Sequence, residues 1–209
     1  MAWLRRSVEA PPPVTVARAP VVAGPEPIER VTPGVAAFLE GLSEDRSHAV
    51  LDLGPATESS LEVYSRFARR VRFADIIAAS ASPHGWAGAM SALPQQPDHP
   101  YDLVLAWDIF DRLDPEARKR LVDRLTQISA PDARLHLVVE AAEKTSTAPM
   151  RFALLDVDRI RYVPTGPVRP NPARMLPAQV EKVLAPFKVT RAFTLKGGMR
   201  EYVAVRVRV

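Results

Sequence analysis

Residues Ala49 to Glu58, Ala-Val-Leu-Asp-Leu-Gly-Pro-Ala-Thr-Glu, constrain the fold more than any other stretch. An apolar run ends at Asp52 and Gly54 in a tight turn, and an amphipathic segment follows at once. That is the strand–turn–helix by which an open α/β sheet holds a nucleotide-type group. The alternation continues downstream. Arg70 to Ala74 reads as a second strand ending at Asp75. Tyr101 to Trp107 is an almost uninterrupted apolar strand of the kind covered on both faces, and Arg134 to Glu140 is another. Helices are expected between and around these strands. Thr32-Pro33 is an N-cap with proline at the first helical position, followed by Val35, Phe38, Leu39 and Leu42 at helical spacing. Ser59 to Ala68 carries a capping box, Ser59 with Glu62, and a buried stripe of Leu61, Tyr64, Phe67 and Ala68. Asp114-Pro115-Glu116 opens a helix that buries Ala117, Leu121, Leu125 and Ile128. Residues 76–100 suggest two short helices, Ile76 to Ser82 and Trp86 to Leu93, with no convincing strand. After a short helix from Pro177 to Ala185, the chain closes with two strands, Phe187 to Leu195 and Glu201 to Val207. These are joined around Gly197-Gly198, a hairpin signal.

A length of 209 residues suits one domain with a real core. There is no cysteine, hence no disulfide framework, no thiolate nucleophile and no cysteine metal site. Histidines 48, 84, 99 and 136 are too scattered to suggest a metal centre, so none is expected. No run approaches the roughly 18 apolar residues that cross a bilayer, and no secretory leader is recognisable, so a cytoplasmic protein is expected. The net charge is +4, but acidic residues are interleaved with basic ones almost everywhere, which reads as a solvated surface rather than a nucleic-acid face. Residues 1–31 form a proline-rich, extended N-terminal arm, with Pro11, Pro12, Pro13, Pro20, Pro25 and Pro27 excluding helix and central strand. The arm reads either as a tail or as a docking segment. The folded domain is expected over 32–209. Within it, 141–172 is read as an inserted hairpin and loop, with strands in Phe152 to Leu155 and Arg159 to Val163.

In this order of elements the chain resembles the class I S-adenosylmethionine-dependent methyltransferases, from about Thr32 to Val207. Their Rossmann-like, three-layer α/β fold implies a mostly parallel seven-strand sheet that ends in an antiparallel hairpin. The family's glycine-rich turn falls on Asp52-Leu-Gly-Pro-Ala-Thr-Glu, with Gly54 kept, Ala56 at the second glycine position and Glu58 at the third. Its acidic residue after the second strand falls on Asp75, 23 residues beyond Asp52. The strand and loop facing the methyl acceptor fall on Tyr101 to Leu113, with Asp108 just past the strand.

The resemblance implies S-adenosylmethionine as cofactor, held by Asp52, Gly54, Ala56, Asp75 and Asp108. No catalytic residue is assigned, because methyl transfer needs an in-line acceptor more than acid–base help. Each residue also has a plainer reading. Asp52 anchors turn amides, Asp75 caps the next helix, Asp108 and Asp111 either stand where the acceptor would approach or start a helix, and Trp107 either lines an acceptor pocket with His84 and Trp86 or is core. His84 is a lone candidate base with nothing to orient it. Glu58 is the departure that bears most on function, since a carboxylate there would crowd the cofactor's own. Two functions remain: a methyltransferase of unassigned acceptor, or a catalytically silent subunit of this fold that meets protein partners through residues 1–31 and 151–163.

Overall fold

The computed structural model describes residues 26–95, 99–140, 146–165, 168–170, 175–196 and 198–208. Most of the N-terminal arm, parts of the 141–172 insertion and Gly197 lie outside the described residues.

The chain enters as β1 (Ile28–Val31) and α1 (Pro33–Leu39), where Thr32 Oγ1 accepts the Val35 amide as the N-cap. Then follow β2 (His48–Asp52), α2 (Glu58–Tyr64), β3 (Ala68–Phe73), and the short helices α3 (Ile76–Ser80) and α4 (Gly85–Met90). After β4 (Tyr101–Leu105) a single 3-10 turn, Ile109–Arg112, leads to α5 (Pro115–Ile128) and the long β5 (Ser129–Glu140). The insertion supplies β6 (Ser146–Thr147), β7 (Met150–Asp156), β8 (Arg159–Pro164) and β9 (Arg169–Pro170). A 3-10 turn at Pro177–Gln179, α6 (Val180–Leu184), β10 (Phe187–Thr194) and β11 (Met199–Arg206) complete the chain.

The main sheet has the order β10-β11-β5-β4-β2-β3. Strands β2, β3, β4 and β5 are parallel, and β11 runs antiparallel between β5 and β10, as the terminal hairpin implies. The sheet has six strands among the described residues, not the expected seven. The missing edge strand would come from residues 76–95, where α3 and α4 stand instead. Alanine, serine and glycine dominate that stretch, without the β-branched run a strand needs. The strands alternate their side chains between two apolar layers. Ala49, Leu51, Val104 and Ala106 face α4, α5 and α6, whereas Val50, Leu103 and Leu105 face α1 and α2.

A second sheet, β1-β8-β7, packs on the latter face through Phe152, Leu154, Ile160 and Tyr162. The last four residues of the N-terminal arm are therefore a strand, paired with β8 from Ile28↔Tyr162 to Val31↔Arg159. The inserted hairpin uses its apolar side within the domain and leaves its other side, with Arg159 and Arg161, to solvent. Helix α2 begins earlier than its sequence suggests. Thr57, not Ser59, is the N-cap, and Leu61 on its outer side is 52% exposed rather than buried.

A buried acid joins α1 to the sheet. Glu201 of β11 accepts the Gly34 amide at 2.9 Å and faces His136 Nε2 at 3.2 Å. A Cβ on Gly34 would lie 2.6 Å from the Glu201 side chain, so only glycine allows this approach. Gly34→Ala should destabilise the domain by about 2 kcal/mol through overpacking. That corresponds to a fall in Tm of about 4–8 °C, measurable by calorimetry; an unchanged Tm would mean that α1 can shift freely.

Candidate functional site

Chain direction across the sheet reverses between β2 and β4, and in open α/β sheets ligands bind in the crevice outside the carboxyl ends of such strands. Three of the sequence-derived site residues, Gly54, Asp75 and Asp52, gather at or beneath this crevice. Its walls also include Leu53, Pro55, Trp107 and, from the inserted strand β7, Met150, Arg151 and Phe152.

Asp52 ends β2 and is buried. Its Oδ1 accepts the Gly54 amide at 2.8 Å and Trp107 Nε1 at 2.6 Å, and its Oδ2 accepts the Tyr64 hydroxyl at 2.6 Å. Burial outweighs these three donors and pushes its pKa up to about 6. The group is an anchor within the protein, with its oxygens turned to the turn, to α2 and to the segment after β4.

Trp107 fills the space beside the turn. A Cβ on Gly54 would lie 2.9 Å from Trp107 Nε1, so the opening that glycine gives the backbone is taken by indole. The indole is 1% exposed and stacks on Phe152 with centroids 5.2 Å apart and planes 5° apart. To place it, Trp107 adopts φ +49°, a left-handed conformation unusual for a bulky side chain, pinned where its carbonyl accepts the Val138 amide at 2.7 Å. The remaining cavity is about 10 Å³, room for roughly one water.

Asp75 lies at the rim and is engaged twice. Its Oδ1 accepts the Ala78 amide at 3.1 Å as the N-cap of α3, and Oδ2 is 3.6 Å from Arg151 of β7. Ala56 and Glu58 are exposed. With Thr57 as cap, Glu58 sits in the first turn of α2 on the solvent side and does not line the crevice.

Asp108 belongs to a separate neighbourhood. It is buried and ion-paired with Arg112, and burial raises its pKa despite that guanidinium. Asp111, which the sequence places either near the methyl acceptor or at a helix start, ties three segments together. Its carboxylate accepts the Glu140 amide at 2.7 Å and the Met175 amide at 2.8 Å, and burial pushes its pKa up to about 6. A small cavity of about 30 Å³ lies between Asp108, Arg112 and β7. His84 caps nothing with its side chain and stands on the exposed start of α4. No cluster of three metal-ligating side chains occurs among the described residues, and none of their helices is long and apolar enough to cross a membrane.

Sequence reasoning placed Trp107 correctly in the interior but gave no sign of which interior. It missed Arg151 and Phe152, whose only signal was an inserted hairpin with alternating apolar residues.

The chain has the fold of S-adenosylmethionine-dependent methyltransferases. It aligns with the 1,6-didemethyltoxoflavin-N1-methyltransferase of Burkholderia thailandensis, determined with 1,6-didemethyltoxoflavin and S-adenosylhomocysteine bound. The TM-score is 0.51 and the identity 16%, over 83% of this chain and 77% of that one. An S-adenosylmethionine-dependent methyltransferase from Mesorhizobium loti aligns with TM-score 0.52 and 14% identity, over 83% of this chain and 96% of that one. No family model and no curated protein sequence matches the chain.

Two predictions concern the anchor. Trp107→Ala should destabilise by about 3–5 kcal/mol, as loss of a buried aromatic does. Trp107→Phe should cost less, because it mainly removes the donor to Asp52; denaturant unfolding compares the two, and equal losses would mean the stacked ring contributes little. For Asp52, the unfolded chain releases its proton near 3.8 and the folded chain only near 6. Stability from this group is therefore greatest below pH 4, falls as pH rises to 6, and is flat above. Unfolding free energies of wild type relative to Asp52→Asn should fall by about 3 kcal/mol between pH 4 and 7. A pH-independent difference would show that the carboxylate titrates normally.

Proposed function

We propose that this chain, which carries the methyltransferase fold, is a methyltransferase-like protein whose cofactor crevice is filled from within, and that it acts without turning over S-adenosylmethionine. One observation carries the reading: the Trp107 indole occupies the space that Gly54 opens, clamped between that turn and Phe152. Pockets for cofactor-sized ligands run to about 300 Å³ or more, and the crevice offers about 10 Å³. The residues present do not fit the cofactor in this arrangement. Asp75, the residue that would meet a ribose, is held by the α3 amide and Arg151.

Filling the crevice is a matter of the whole second sheet. Strand β7 is bound to α2, where Ser60 Oγ accepts the Leu154 amide at 2.9 Å, and Arg66 pairs with Asp156 at 2.8 Å. On this reading the domain serves as a structural or protein-binding component. Residues 1–31 and the outer side of 151–163 are the surfaces proposed for partners.

A second reading is an enzyme whose crevice opens. It is favoured by the position of Asp75 at the rim, where a 3.6 Å pair with a half-exposed arginine is weak and easily replaced. Gly54, Ala56 and Asp75 would then meet S-adenosylmethionine, with Asp108 near the acceptor.

Calorimetric titration with S-adenosylmethionine and S-adenosylhomocysteine separates the two. No saturable heat is expected up to about 1 mM ligand. Micromolar binding that is lost in Asp75→Ala would overturn the first reading and establish the second.

A further inference from the structure

A groove far larger than the crevice lies elsewhere in the molecule. It lies between α5 and α6, with a volume of about 450 Å³, within the range of small-ligand sites. Its walls have two characters. Val122 and Val183 give it an apolar side, while Arg118, Lys119 and Lys182 bring three cations to it. The one acid among its lining residues, Asp123, is already paired with Lys119 at 3.0 Å.

Arg118 sets this groove apart from an ordinary solvated furrow. It is 5% exposed, which is rare for arginine. Its Nε donates to the Phe110 carbonyl at 2.7 Å, fixing the guanidinium against the loop after β4. Its Nη2 is buried and has no acceptor among the described residues. Asp111 and Asp114 act on it electrostatically, but neither is hydrogen-bonded to that nitrogen. A guanidinium held in place in the groove wall is well suited to planar oxyanions such as carboxylate and phosphate.

We propose that the α5–α6 groove binds a small organic anion, a carboxylate or phosphate carried on an apolar body. The head group meets Arg118 and Lys182, and the body lies against Val122 and Val183. This site is independent of the crevice beside Gly54 and of any reading of the methyltransferase fold.

Phenyl phosphate is a suitable probe, with inorganic phosphate for the head alone and phenol for the body alone. Titration of the full-length protein, followed through amide shifts, should give saturable changes confined to α5 and α6. Binding should weaken with added salt and be tighter for phenyl phosphate than for either fragment. Lys182 is exposed, so Lys182→Glu leaves the fold intact and should weaken binding about tenfold. Lys188→Glu, on β10 away from the groove, should leave it unchanged. The proposal fails if no saturation occurs by about 10 mM. It also fails if both variants weaken binding equally, or if inorganic phosphate binds as well as phenyl phosphate, since either shows attraction to net charge alone.

Discussion

The Asp52 carboxylate is the interaction on which the remaining arrangement depends. Three donors from three elements converge on it: the turn amide of Gly54, the Tyr64 hydroxyl of α2 and the Trp107 indole after β4. A buried carboxylate is tolerated only when its oxygens are satisfied, so these elements are fixed relative to one another by a single side chain. The position of Trp107 then determines more. Its ring stacks on Phe152, and Phe152 lies against Tyr162, so the second sheet is aligned to the first through an aromatic column.

Two further buried acids work in the same manner. Glu201 receives the first turn of α1, and Asp111 receives the end of β5 and the chain at Met175. In each case a carboxylate from one segment takes backbone amides from another far away in sequence. These ties join pieces that share no strand ladder: α1 to β11, and the turn after β4 to the chain on either side of the insertion.

Much of the architecture was legible in the sequence because it rests on local rules. The N-cap at Thr32, the start of α5 at Asp114-Pro115 and the terminal hairpin follow from side chains acting on their own neighbours. The crevice was less legible. Glu58 drew attention as the residue that breaks a glycine pattern, yet capping by Thr57, one residue before it, turns it to solvent. The side chains that crowd Gly54 come instead from Trp107 and β7, and the Arg151–Asp75 pair joins residues too far apart for spacing to reveal. Residues 76–95 form the two short helices that their sequence suggests and no strand, and only the seven-strand count implied by the resemblance departs from the six strands observed among the described residues. A buried guanidinium such as Arg118 looks in sequence like any arginine on the polar side of a helix.

The shared seat of Trp107 also bears on how such a protein can change over generations. A smaller residue at 107 leaves Asp52 short of a donor and Phe152 without its stacked partner, before any crevice is usable. Losing Arg151 alone leaves Asp75 capping α3 and the indole in place. Opening the space beside Gly54 therefore costs stability at Trp107, where the contacts are coupled rather than additive. Asp52, Trp107 and Phe152 thus behave as one unit, in which no member is replaced without loosening the other two.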